Sequence, residues 1–202
     1  MWYFEKEAAK KGCRKIAGID EAGRGPLAGP VVSAAVILPL TLDDSEITDS
    51  KKLSPGKRER LYDQIYAQAT AVGIGIVDSV EIDRINILQA SLLSVAMAVK
   101  NLAPCPDFLL IDGIFTIASD LPQKPIKKGD SLSVSIAAAS IIAKVTRDRL
   151  MQKYHHYYPQ FDFPRHKGYP TKAHKEAIRK FGYSPIHRKS FKGVKEYIKT
   201  AV

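Results

Sequence analysis

Four carboxylates stand where apolar runs end. In IAGIDEAGRGPLAGPVVSAAVIL, residues 16–38, Asp20 and Glu21 close one apolar run, and a glycine-rich bend carrying Arg24 leads into the next. Asp112 closes another run, FLLID, and Asp130 follows a Lys-Lys-Gly bend at the mouth of an Ala/Ile/Ser-rich segment. Ends of neighbouring strands converge in space, so Asp20, Glu21, Asp112 and Asp130 could share one cleft. Clustered carboxylates repel one another unless cations neutralise them. Hard oxygen ligands around an open position suit Mg²⁺ or Mn²⁺, which keep waters and take further ligands from phosphate. Two such ions ~3.5–4 Å apart can activate a water and stabilise the leaving oxygen of a phosphodiester. Each residue alone has a plainer reading: an Asp at a strand end, such as Asp112, often caps a turn. Asp20 beside Glu21 is harder to absorb, because strand alternation points the pair to opposite faces unless the chain bends. Gly23 and Gly25 provide for a bend, although a glycine pair also suits a simple tight turn.

The elements that must position these groups follow from pattern. Residues 14–19 and 31–38 read as two consecutive strands joined by Gly/Pro turn chemistry, the partners of an expected antiparallel pair. Ser54 is the N-cap of a helix starting at Pro55, with Leu61, Ile65, Ala69 and Val72 as its apolar stripe. AVGIGIVDS, residues 71–79, is a third strand in which Gly73 and Gly75 allow close backbone approach. Helical spacing runs from Val80 to Leu102. FLLID, residues 108–112, is a fourth strand, too apolar for an exposed edge, and a two-proline loop follows it. SVSIAAASIIAKVTRDRLMQKY reads as a long buried helix whose small residues pack closely on a sheet. Strands alternate with helices after the first hairpin, so the fold class is α/β: a central mixed sheet flanked by helices. Residues 1–153 form the expected core and residues 154–202 a basic helical C-terminal extension packed on it.

Charge is divided along the same line. The chain has 202 residues and a formal net charge of +10. Residues 141–202 hold 15 Lys/Arg and 4 Asp/Glu, a net of +11, which leaves −1 for the first 140. A strongly basic segment beside an acidic cluster points to a polyanion such as nucleic acid. The two cysteines, Cys13 and Cys105, have no zinc spacing, which fits a reduced compartment without a structural disulfide. MWYFEKEAAKKG has no apolar signal-peptide core, and no run reaches the ~18–20 uncharged residues of a membrane span. The expectation is a soluble cytoplasmic protein with no membrane partner.

IAGIDEAGRGPLAGPVVSAAVIL, DSKKLS (49–54), LLIDG (109–113), KGDSLSVSIAAASIIAKVTRDR (128–149) and HKGYPTKAH (166–174) occur in an order that resembles bacterial ribonuclease HII over residues 14–190. The resemblance implies a ribonuclease H-like fold with a C-terminal helical extension. It also implies a monomeric endonuclease that hydrolyses the RNA strand of RNA/DNA hybrids. The same enzyme would incise 5′ of single ribonucleotides embedded in duplex DNA, leaving 5′-phosphate and 3′-hydroxyl ends. It makes Asp20, Glu21, Asp112 and Asp130 the catalytic metal ligands, with two Mg²⁺ or Mn²⁺ ions expected when substrate is bound. Gly23, Arg24 and Gly25 resemble the family's Gly-Arg-Gly motif that reads the 2′-hydroxyl, and Tyr169 the tyrosine that packs on the sugar at the ribo–deoxyribo junction. Lys51 and Lys144 fall where the family contacts phosphate, and His166 and Lys167 could touch phosphate beside Tyr169. No sliding-clamp peptide is evident in the closing EYIKTAV.

The remaining polar residues have bland readings. His155, His156, His174 and His187 show no metal spacing and are expected to be solvated. Lys144 and Arg147 share a helix face that is solvated by default, and Asp148 is expected to pair with the arginines beside it. Two rival functions stay open: a related nuclease or resolvase on the same fold, and a basic module that binds nucleic acid without cutting it.

Overall fold

The computed structural model describes residues 1–42, 46–47, 50 and 53–198. Its centre is a five-stranded sheet in the order β3-β2-β1-β4-β5. β1 (Ile16–Ala22) pairs antiparallel with β2 (Val31–Ile37), which pairs antiparallel with β3 (Ala71–Val77). On its other side β1 runs parallel to β4 (Phe108–Asp112), and β4 parallel to β5 (Gln123–Ile126). The sheet is therefore mixed, and FLLID is an inner strand, as its apolar run requires.

β5 lies where the sequence predicts a proline loop. Its Pro125 cannot donate to a ladder, which an edge strand tolerates and an inner one does not. β1 extends past residue 19 to Ala22, so Asp20 and Glu21 lie inside the strand rather than after it. Burial against helices on both faces lets the strand continue through two charged residues.

Strand alternation sorts the core into two layers. Ala17 and Ile19 of β1, Ala35 and Ile37 of β2, and Leu109 and Ile111 of β4 pack against α3 (Ser79–Lys100). Ala34 and Val36 pack on the opposite face against α4 (Val134–Tyr157) and α2 (Pro55–Gln68). α4 lies very close to β1: a Cβ on Gly18 would fall 2.1 Å from the Ser135 carbonyl carbon. Gly73 and Gly75 play the expected role under α3, where added Cβ atoms would meet the Ala98 and Ser94 carbonyl oxygens.

Ser54 caps α2 through the Lys57 N–H, with Pro55 at the first position. Leu61 and Ile65 form its buried stripe, but Ala69 is already its C-cap and Val72 belongs to β3. α3 breaks at Asn86 (φ +68°), whose side chain caps the second half through the N–H groups of Leu88 and Gln89. By length and composition α3 is the one described helix apolar enough to cross a bilayer. Here Ala90, Ser91, Ser94, Val95 and Ala98 are buried against the sheet.

An N-terminal helix absent from the sequence reading, α1 (Tyr3–Lys10), is fixed by buried Glu5. Its Oε1 accepts from the hydroxyls of Ser133 and Ser135 and from the Ser135 N–H, at the start of α4. At the other end α4 runs without interruption through residue 153 to Tyr157. Short helices α5 (Phe163–His166) and α6 (Lys172–Phe181) follow. They share a third apolar cluster with the loop after β1, formed by Leu27, Ala28, Met151, Phe161, Phe163, Ile178 and Val194.

Candidate active site

Parallel pairing sets Ile19 beside Ile111, so the next residues, Asp20 and Asp112, lie at the same C-terminal end of two adjacent strands. Ligand sites of open α/β sheets form at such ends. Asp20 is 5% exposed. Its carboxyl is held well above the usual carboxylate range, first by burial, then by the charges of Glu21 and Asp112. Bonds from the Ser140 side chain and the Glu21 N–H oppose that rise only in part. Ser140 in turn bonds Ser50 at 2.9 Å.

Glu21 alternates to the α3 side, where it and Asp112 line a 250 Å³ cavity with Ser91, Leu92 and Phe115. Asp20, Glu21, Gly23, Arg24, Gly25, Ser140, Lys144 and Tyr169 line a neighbouring concavity of 220 Å³. Glu21 thus borders both concavities and links Asp20 on one side of β1 to Asp112 on the other.

Asp112 accepts the Gly129 N–H at 2.6 Å, which ties β4 to the turn carrying Asp130. Asp130 is 5% exposed and takes a bond from the Ser131 hydroxyl. Among the described residues no three His, Cys, Asp or Glu side chains are arranged to hold one ion between them.

The glycine-rich turn has an inner and an outer side. Gly23 has φ +101°, and a Cβ there would lie 2.2 Å from Arg147 Nε, so only glycine fits. Gly25 has neither constraint: a Cβ would meet only the Tyr169 ring, at 3.6 Å. Tyr169 is 43% exposed and stands over that glycine. The Arg24 guanidinium reaches Glu21 at 3.5 Å, a weak contact at an exposed position.

The structure corrects several expectations. Arg147 is not on a solvated face; it is buried and donates to the carbonyls of Ala28, Pro30 and Lys167. Asp148 pairs with Lys144 at 2.6 Å rather than with an arginine. Burial draws the Lys144 ammonium below its usual range, against the pull of Asp148. His166 is not free for phosphate: Gly168 N–H donates to its Nδ1, so the opposite nitrogen donates to the Phe161 carbonyl. His174 and His187 are buried rather than solvated. Ser184 N–H donates to His187 Nδ1, His187 Nε2–H to His174 Nε2, and His174 Nδ1–H to the Tyr169 carbonyl. This chain needs both rings neutral, and burial lowers their pKa to about 4 for His174 and about 3 for His187. Lys167 is half-buried, and Lys51 lies outside the described residues.

Sequence reasoning missed Arg188 altogether. It is fully buried and donates to the carbonyls of Gly23, Arg24 and Gly29. A basic residue within a basic tail gave no sign of that role.

The family model described as Ribonuclease HII matches residues 17–194. The chain belongs to the ribonuclease HII family. It is a ribonuclease H-type endonuclease, a phosphodiester hydrolase. The ribonuclease HII of Syntrophus aciditrophicus (strain SB) is 59% identical over 192 residues, covering 95% of this chain and 91% of that protein. Solved ribonuclease H2 from Pyrococcus horikoshii OT3 is similar in fold, with a TM-score of 0.77 at 27% identity over 91% of this chain and 97% of that one. The RNase HII in the PCNA complex from Archaeoglobus fulgidus gives a TM-score of 0.74 at 26% identity, over 89% and 96%.

Proposed function

We propose that this ribonuclease HII cuts the RNA strand of RNA/DNA hybrids and incises 5′ of single ribonucleotides in duplex DNA, leaving 5′-phosphate and 3′-hydroxyl ends. The observation that carries the reading is the concavity in which Asp20 and Glu21 meet the Gly23–Gly25 turn and Tyr169.

The donor set fits Mg²⁺ or Mn²⁺. Its oxygens are hard, and burial together with the charges of Glu21 and Asp112 raises the Asp20 carboxyl, a rise that a bound cation would oppose. Carboxylates spread over two adjoining concavities that share Glu21 suit cations held by few protein ligands and completed by substrate phosphate, with two ions expected in the complex. Asp20, Glu21, Asp112 and Asp130 would hold them, and bound ions would supply an activated water and charge neutralisation at the leaving oxygen.

The remaining work belongs to the chain's own groups. The turn meets the 2′-hydroxyl through its backbone, because Gly25 leaves its outer side open. Tyr169 packs on the sugar beside it. Lys144 lines the same concavity and stands near the phosphate, while Lys167 and Lys51 would contribute charge along the strand. A monomer in the cytoplasm fits two free cysteines, Cys13 and Cys105.

The test is cleavage of a DNA duplex carrying one ribonucleotide, with products mapped to the nucleotide. A single cut on the 5′ side that depends on Mg²⁺ or Mn²⁺ is the expected result. Binding without products in either ion contradicts the reading and favours a non-cutting module, and cutting confined to continuous hybrids removes the single-ribonucleotide activity.

A further inference from the structure

Arg188 lies 164 residues beyond Arg24 in sequence yet directly beneath it in the fold. Its Nη2 donates to the Gly23 carbonyl at 2.5 Å, its Nη1 to the Arg24 carbonyl at 2.9 Å, and its Nε and Nη2 to the Gly29 carbonyl at 3.0 and 2.9 Å. The guanidinium lies over the Phe191 ring, 5.0 Å from its centre. Asp83 anchors the same segment by accepting the N–H groups of Lys189 and Ser190.

Burying a cation is costly, and the carbonyl hydrogen bonds that offset the cost also order the chain that carries them. What it orders follows from peptide geometry. In a planar trans peptide the C=O of one residue and the N–H of the next point in opposite directions. With the Gly23 and Arg24 carbonyls turned down onto Arg188, the N–H groups of Arg24 and Gly25 are turned up. Among the described residues neither N–H has a protein acceptor. Two adjacent outward N–H groups form a small donor nest suited to an electron-rich oxygen.

We propose that Arg188 is a positioning residue for ribose recognition: it fixes the polarity of the turn, so that the turn offers donors to the 2′-oxygen. Arg188 touches no substrate itself; it acts through Gly23 and Arg24. The inference rests on the reading that this turn meets the ribose, and it adds that the 2′-oxygen is read chiefly as an acceptor. Arg147 is the internal control, since it is equally buried and also bonds three carbonyls, but those of Ala28, Pro30 and Lys167.

The experiment measures binding of the full-length chain, without divalent cation, to a duplex with one ribonucleotide and to its all-deoxy counterpart. Wild type is expected to prefer the ribonucleotide duplex. Arg188→Lys keeps a charge but loses the planar fork. It should lose about tenfold of that preference, the worth of a well-made hydrogen bond, with all-deoxy binding unchanged. Arg147→Lys should lower thermal stability while keeping the preference. Preference retained in a folded Arg188→Lys protein overturns the proposal, as does equal loss in Arg147→Lys. If Arg188→Lys does not fold, Phe191→Leu loosens the guanidinium more gently and should lower the preference by about two- to threefold; no change there also overturns it. A wild type that neither prefers nor cuts the ribonucleotide duplex defeats the underlying reading instead, and identifies itself before any variant is compared.

Discussion

The carboxylates at the end of β1 and the glycine-rich turn fall within six residues, Asp20 to Gly25, and are built by opposite means. At the strand ends side chains act directly: Asp20, Glu21 and Asp112 are brought together by the β1–β4 register, and their charges crowd one another. In the turn the backbone is on display, and the side chain that bonds its carbonyls from beneath is Arg188. In the first region burial and like charge both raise the Asp20 carboxyl, with only partial relief from the Ser140 and Glu21 N–H bonds. The second is satisfied in advance, with its inner carbonyls already bonded. On the proposed reading, chemistry waits for cation and substrate, whereas recognition is preorganised.

Substitutions should separate the two regions, beginning with the largest effect. Asp20→Asn should lower the cleavage rate by at least about 10²-fold while duplex binding persists. It should also raise the cation-free melting temperature by ~2–4 °C, since a buried, repelled carboxylate is removed. A lower melting temperature would contradict the picture of unrelieved repulsion.

The two glycines divide the turn itself. Gly23→Ala forces a side chain into a positive φ and into Arg147, and should cost ~2–4 kcal/mol in denaturant unfolding. Gly25→Ala meets only ordinary contact with Tyr169, so stability should hold within about 0.5 kcal/mol while affinity for the ribonucleotide duplex drops roughly tenfold. Equal stability losses would erase the distinction between the inner and outer sides.

The histidine chain predicts a pH dependence. His174 and His187 titrate near 4 and 3 in the folded protein, below the ordinary 6.5. The unfolded chain therefore binds protons first as pH falls, and the stability these residues contribute, present above about 6.5, is lost as pH drops toward 3–4. Thermal unfolding at pH 7.5 and 4.5 should show a loss of ~2–4 kcal/mol. His187→Gln should flatten that slope, and an acid-insensitive wild type would refute it.

The smallest effect belongs to Lys144, already paired with Asp148 at 2.6 Å. Lys144→Ala should raise KM by a few fold with kcat little changed, and the difference should shrink as salt rises.

What the sequence reveals follows the same division. The adjacent placement of Asp20 and Asp112 was legible because each sits where an apolar run ends. The inner strands, the Ser54 cap and the close contacts at Gly73 and Gly75 were legible for the same reason. β5 was hidden by Pro125, and α1 by the charges around Glu5, because burial there is decided by distant partners. Arg147, Arg188, His174 and His187 look like ordinary members of a basic tail. Their roles depend on carbonyls more than a hundred residues away, or on a ring-to-ring chain that no spacing rule encodes.

Single-turnover cleavage by Asp112→Asn of a duplex with one ribonucleotide, in Mg²⁺ and in Mn²⁺, tests the central claim most directly. That claim is that the carboxylates at the paired ends of β1 and β4 carry the hydrolysis. Near-complete loss of cutting in both ions, with the preference for the ribonucleotide duplex intact, is the predicted result; wild-type cleavage in either ion would contradict it.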